Sequence, residues 1–135
     1  MTKQETLRKL FEENGLEKED VFVMKMGGKN IPIITRQGIE KIQARLEINV
    51  SYELQHISED SKTVVMKAKG YIESGGKIEA SVETFGEASP ANNKNQFAVA
   101  MCEKRALSRC VLKLAGFYQH GIFGEDEPSE NLENV

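Results

Sequence analysis

Three runs in which apolar or aromatic side chains recur at every second position, followed by one run at helical spacing, constrain this chain more than any other feature. Ile48 to His56 sets Ile48, Val50, Tyr52 and Leu54 on one side. Thr63 to Glu73 sets Val64, Met66 and Ala68 on one side, although Val65 competes for the same core. Lys77 to Phe85 alternates again, with Ile78, Ala80, Val82 and Thr84 opposite Lys77, Glu79, Ser81 and Glu83. Ser58-Glu59-Asp60-Ser61 and Ser74-Gly75-Gly76 supply the turns. Period-two alternation across short turns predicts an antiparallel meander with one buried face. The other face carries Lys67, Lys69 and Tyr71 when Val64, Met66 and Ala68 point inward. Gly86 to Asn95 reads as a polar loop, and Gln96 to Leu114 as the longest helix, stopped by Gly116. Its residues Val99, Ala100, Ala106, Leu107, Cys110, Val111 and Leu114 share one arc, which should lie on the sheet. The fold class is therefore α+β, a β-β-β-α core with the meander packed on one long C-terminal helix.

The N-terminal part adds a helix from Thr2 to Asn14, a strand from Val21 to Met26, and a turn at Gly27-Gly28-Lys29-Asn30. Ile31 to Ile34 returns as a partner strand, and Pro32 argues that this strand lies at an edge. Thr35 then caps a helix from Arg36 to Leu46. With 135 residues and no internal repeat, the chain suits one domain over residues 1–124. Residues 125–135 are acidic and aperiodic, and are expected to be a disordered tail.

Several classes drop out. No run approaches the ~18 apolar residues of a membrane span, and the first fifteen residues hold no uninterrupted apolar stretch of a secretory signal. Cys102 and Cys110 lack metal-ligand spacing and read as buried thiols of a reducing compartment, which points to the cytoplasm. His56 and His120 have no ligand or nucleophile at a working distance in sequence. Gly27-Gly28-Lys29 lacks phosphate-loop spacing and reads as a hairpin turn. Glu79 and Glu83 share a strand face but read as solvated sheet charges. No nucleophile elbow, dinucleotide fingerprint or HExxH helix is present. The chain is expected not to be an enzyme and to need no cofactor or metal.

Charge is what remains. The formal net charge is -3, yet residues 1–124 carry 18 basic and 16 acidic side chains, a net of +2, and the last eleven residues carry five acids and no base. Lys94, Lys104, Arg105, Arg109 and Lys113 face only Glu103 between positions 94 and 113. Arg105, Arg109 and Lys113 follow at i, i+4 and i+8 without acidic partners at i±4, so a cationic stripe is expected beside the apolar arc. Glu103 falls inside that arc and calls for a basic partner. Binding of single strands needs cations for phosphates and flat rings for bases. Tyr52, Tyr71, Phe85, Phe117 and Tyr118 are the candidate rings. A small interaction module that presents the basic helix to an acidic protein is the alternative reading.

The order of elements, together with Val82-Glu83-Thr84-Phe85-Gly86-Glu87-Ala88-Ser89 and Ala98-Val99-Ala100-Met101-Cys102-Glu103-Lys104-Arg105-Ala106-Leu107, resembles the Rad-fifty-two-like superfamily of single-strand annealing proteins, including phage annealing proteins of the Sak type. The likeness covers residues 20–117 by element order and 82–116 by motif. The family pattern has an Arg directly after the Leu, where this chain has Ser108, with Arg109 one place later. The resemblance implies a non-catalytic protein of phage or mobile-element recombination. It would form rings or filaments and bind single-stranded DNA in a positive groove. Lys104 and Arg105 match the family's basic pair, and Lys94, Arg109, Lys113, Lys67 and Lys69 complete the expected nucleic-acid-binding set. The acidic tail would dock a protein partner or shield charge.

Overall fold

In a computed structural model describing residues 2–128, the chain forms three helices and two three-stranded sheets. Helix α1 spans Lys3–Glu13 and opens with a capping box: the Thr2 hydroxyl accepts from the Glu5 N–H, and the Glu5 carboxylate accepts from Thr2 N. Strands β1 (Val21–Met26) and β2 (Lys29–Ile34) form a hairpin on Gly27 and Gly28, both at positive φ as a two-residue turn of this hand requires. Helix α2 (Arg36–Leu46) starts where the Thr35 side chain accepts from Gly38 N. Strands β3 (Ile48–Ile57), β4 (Val64–Ser74) and β5 (Lys77–Ala88) form the antiparallel meander, in the order β3-β4-β5. Helix α3 (Ala98–Ala115) packs across β4 and β5, and a two-residue strand β6 (Phe123–Gly124) adds in parallel to β2.

The phase of β4 is as expected: Val64, Met66 and Ala68 are buried beneath α3, while Lys67, Lys69 and Tyr71 lie on the opposite face. Two glycines set how closely α3 approaches. A Cβ on Gly86 would stand 2.1 Å from the Cys102 carbonyl oxygen, and one on Gly70 would stand 2.1 Å from Cys110 Sγ. The main core joins Ile34, Ile39, Ile42, Ile48, Leu107, Val111, Leu112, Phe117 and Ile122, so α3 is the wall shared by both sheets.

That shared position corrects several expectations. Beyond Ala106, Leu107, Cys110 and Val111, the helix also buries Cys102, Arg105, Ser108 and Leu112, because α2 and the chain after β6 cover its second side. Val99 and Ala100 are exposed instead, and so is Glu103. Tyr52 and Leu54 are exposed too, since α3 lies over β4 and β5 and leaves the same face of β3 bare. Gly86 belongs to β5, which continues to Ala88, and the helix begins at Ala98. Strand β2 is central in its sheet, not at an edge. Only Ile33 and Ile34 pair with β6, so Pro32 still has no ladder partner to miss on that side. Glu125, Asp126 and Glu127 hydrogen-bond to the body; the rest of the expected tail from residue 129 lies outside the described residues.

Candidate nucleic-acid interface

The cationic stripe of α3 divides into two kinds of side chain. Arg105 is 4% exposed, and four of its five N–H groups are engaged. Its Nε donates to the Asp126 carbonyl (2.8 Å), Nη1 to the Glu87 carbonyl (2.9 Å) and to Asn92 Oδ1 (3.0 Å), and Nη2 to the Asn92 carbonyl (2.8 Å). Burial holds its pKa below the ordinary guanidinium value, with Glu87 opposing that shift. Arg109 donates to the Phe85 carbonyl (2.7 Å) and forms two bonds to Glu87 (2.7 and 2.9 Å). Its Nε and Nη2 both reach the Glu127 carboxylate. Burial alone would favour loss of its proton, but the two carboxylates outweigh burial and raise its pKa.

The expectation of an open stripe is therefore corrected at Arg105 and Arg109. Both are turned inward, where they cap carbonyls on the free edge of β5 and clamp the C-terminal segment. Sequence spacing missed this because the partners are not on the helix: Glu87 and Asn92 precede it by 13 to 22 positions and Glu127 follows by 18. Alternation near position 87 gave no local sign that a carboxylate and two carbonyls would line one edge.

The acids of the C-terminal segment complete this arrangement. Glu125 N donates to the Ile34 carbonyl, and the Glu125 carboxylate accepts from Arg36 N. Asp126 lies 3.9 Å from Arg36 Nη1, a buried nitrogen with no hydrogen bond, and accepts from Ser108 Oγ at 3.5 Å. Desolvation raises the pKa of the Asp126 carboxyl. An acidic peptide thus lies along the basic side of α3.

Lys113, Lys104 and Lys94 remain on the surface. Lys113 is exposed, with its ammonium 5.3 Å from the centre of the Tyr118 ring, in cation–π contact. Tyr118 packs edge-on against Phe123 at 5.1 Å. A groove of about 530 Å³ runs beside β5, with Arg109 and Lys113 on one side and Phe85, 51% exposed, on the other; Tyr118 and Glu127 close it. Lys94 lies with Lys62, Asn93, Asn95 and Gln96 around a second cleft of about 620 Å³ at the start of α3. The structure does not bring Lys67 and Lys69 to either place. They stand on the open face of the meander, where Lys67 is the cross-strand partner of Phe85 and lies 3.7 Å from Glu53 and 3.9 Å from Glu83.

Among the described residues no group of three or more His, Cys, Asp or Glu has metal-binding geometry. No helix there is long and apolar enough to cross a membrane. Cys102 and Cys110 are buried free thiols, and burial pushes Cys110 up to about 11. No family model, curated protein or solved structure matches this chain significantly.

Proposed function

We propose that the chain is a non-catalytic single-stranded DNA-binding protein of the annealing kind, which works in phage or mobile-element recombination as an assembly of identical subunits. One observation carries the reading. The groove beside β5 sets two components that single-strand recognition requires side by side, an exposed cation at Lys113 and flat rings at Phe85 and Tyr118, while its second cation, Arg109, is paired with Glu87 and Glu127. Phosphates would lie along Lys113, with bases stacked on Phe85; Lys104 projects from the opposite side of α3 and is not part of this path. Arg109 would contribute only where a phosphate displaces Glu127, so the acidic segment competes with the strand. Lys94 and Lys62 extend the positive surface at the other end of α3.

The test is an electrophoretic shift with oligonucleotides at two salt concentrations. Affinity should fall steeply with salt, because neutralised phosphates release counterions. Lys113→Ala should weaken binding on all sequences and flatten the salt slope by about one ion. No binding, or binding indifferent to salt, removes the proposal. One observation favours a second reading, an acidic protein partner: the chain's own Glu125-Asp126-Glu127 already occupies the basic side of α3. A complex that survives nuclease treatment, with no oligonucleotide shift, would decide for it.

A further inference from the structure

Among the described residues, the long strands β1 and β3 each present an open edge, and their side chains match. Strand β1 has a neighbour on one side only, and so has β3. Phe22 and Val23 on β1 are 40% and 58% exposed; Tyr52, Leu54 and Ile57 on β3 are 38%, 53% and 41% exposed. Long edges bearing exposed apolar side chains are places where another strand adds. The other edge of the meander is unlike them, because Arg105 and Arg109 already occupy carbonyls of β5.

We infer that β1 of one subunit adds to β3 of the next, antiparallel, with Lys25 facing Glu53. Register and alternation support the match. Phe22, Met24 and Met26 share a face of β1, with Lys25 opposite. On β3 the helix-side face carries Tyr52, Leu54 and Ile57, and the other carries Glu53 and His56, Gln55 being the extra residue of a bulge. Setting Lys25 against Glu53 places Phe22 beside Ile57, Met24 beside Leu54 and Met26 beside Tyr52. Apolar side chains then meet on one face, where Met24 and Met26 also pack on their own Ile31 and Ile33, while Lys25 meets Glu53 and Val23 meets His56 on the other. Lys25 is exposed with no carboxylate partner among the described residues, and Glu53 is 69% exposed, held only by its 3.7 Å approach to Lys67. A strand pairing with itself, β3 on β3, gives Glu53 no cation of the second copy.

The contact joins different patches of the two copies. It therefore propagates into a closed ring or an open filament. The inference rests on the self-assembly part of the proposed function but not on its DNA part, and the two fail separately.

Light scattering and sedimentation of the full chain, without DNA, provide the test. The wild type should be larger than a monomer at micromolar concentration. Leu54→Glu should lower association more than tenfold while circular dichroism and melting stay those of the wild type, since this side chain supports nothing inside the subunit. Should Leu54→Glu misfold, the charge pair answers alone: Lys25→Glu and Glu53→Lys should each weaken assembly about fivefold, and together restore it. A wild type that stays monomeric, a Lys25→Glu chain that assembles normally, or a double variant as weak as the single ones each overturns the inference. Oligonucleotide binding by a monomeric Leu54→Glu chain would leave the DNA reading standing.

Discussion

The two edges of the meander end differently, and the difference accounts for how the chain uses its positive charge. At β5 the edge is closed from within. Arg105 and Arg109 reach from α3 to the carbonyls of Glu87 and Phe85, and their remaining donors hold Asn92 and the acids of the C-terminal segment. At β3 no arginine does this: the side-chain donors to its carbonyls are two amides at 3.4 Å, Gln43 on Ile48 and Gln55 on Glu53, and eight of its ten residues are exposed. An unpaired edge is a hazard that must be covered or used. The molecule covers one with arginine and leaves the other bare. A cationic helix is thus no sufficient sign of a polyanion site, because buried guanidiniums also serve as backbone caps.

The largest effect expected is on the covered side. Gly86→Ala sets a methyl 2.1 Å from the Cys102 carbonyl and 2.7 Å from Ala106 N, both backbone atoms that cannot turn aside. It should cost about 3 kcal/mol or more, or prevent folding, read as a fall in melting temperature. Arg105→Ala comes next. It strands carbonyls of Glu87, Asn92 and Asp126 and should cost about 3 kcal/mol, with Arg105→Lys recovering little because an ammonium cannot span four acceptors. Both changes should leave subunit association unaltered in whatever protein remains folded. If Arg105→Ala melts like the wild type, the covered edge is not held as described, and the contrast with β3 fails.

Much of this frame was legible in the sequence, and what was not has a common cause. The strands, the capping Thr35 and the helix stop at Gly116 follow from local chemistry: period-two alternation, a side-chain acceptor for a free N–H, and a residue tolerant of φ +86°. The phase of β4 followed too, since Val64, Met66 and Ala68 outweighed Val65. The orientation of α3 did not. A helical wheel assumes one buried side, whereas α3 has a sheet on one side and α2 with the C-terminal segment on the other. Val99 was therefore placed inside and Arg105 outside, and both are reversed. The acids that neutralise Arg109 sit on β5 and beyond β6, out of reach of any i±4 rule.

A pH titration sharpens the comparison from the side of β1, the strand assigned to meet β3. The turn before β1 is pinned by Asp20, a fully buried carboxylate. It accepts from Lys41 Nζ (2.7 Å), Gln37 Nε2 (3.1 Å) and Glu17 N (2.9 Å). Burial pushes its pKa up, but these hydrogen bonds, led by that of Lys41, outweigh burial and hold it below the ordinary carboxylate value. A depressed carboxylate contributes stability above its unfolded pKa of about 4, and that contribution is lost as pH falls through the lower folded value. Melting temperature should drop below about pH 4, and Asp20→Asn should flatten that drop while lowering stability at neutral pH. An acid limb of equal slope in Asp20→Asn would show that another carboxylate governs it.

The smallest effects belong to the open face of the meander, and they separate a decorated surface from a binding one. Lys67 stands between Glu53 and Glu83 at 3.7 and 3.9 Å, with both acids more than half exposed. Such pairs contribute little in water, so Lys67→Ala should change stability by no more than about 0.5 kcal/mol. The same neutralisation argues against a strand lying there: Lys67 and Lys69 share this face with Glu53 and Glu83, which would repel a phosphate chain. Lys67→Ala and Lys69→Ala should therefore leave oligonucleotide affinity within about twofold of the wild type, while Lys113→Ala lowers it several-fold. The reverse ranking in a shift assay would move the DNA path from the groove beside β5 to the face of the sheet. The acidic segment would then compete with nothing.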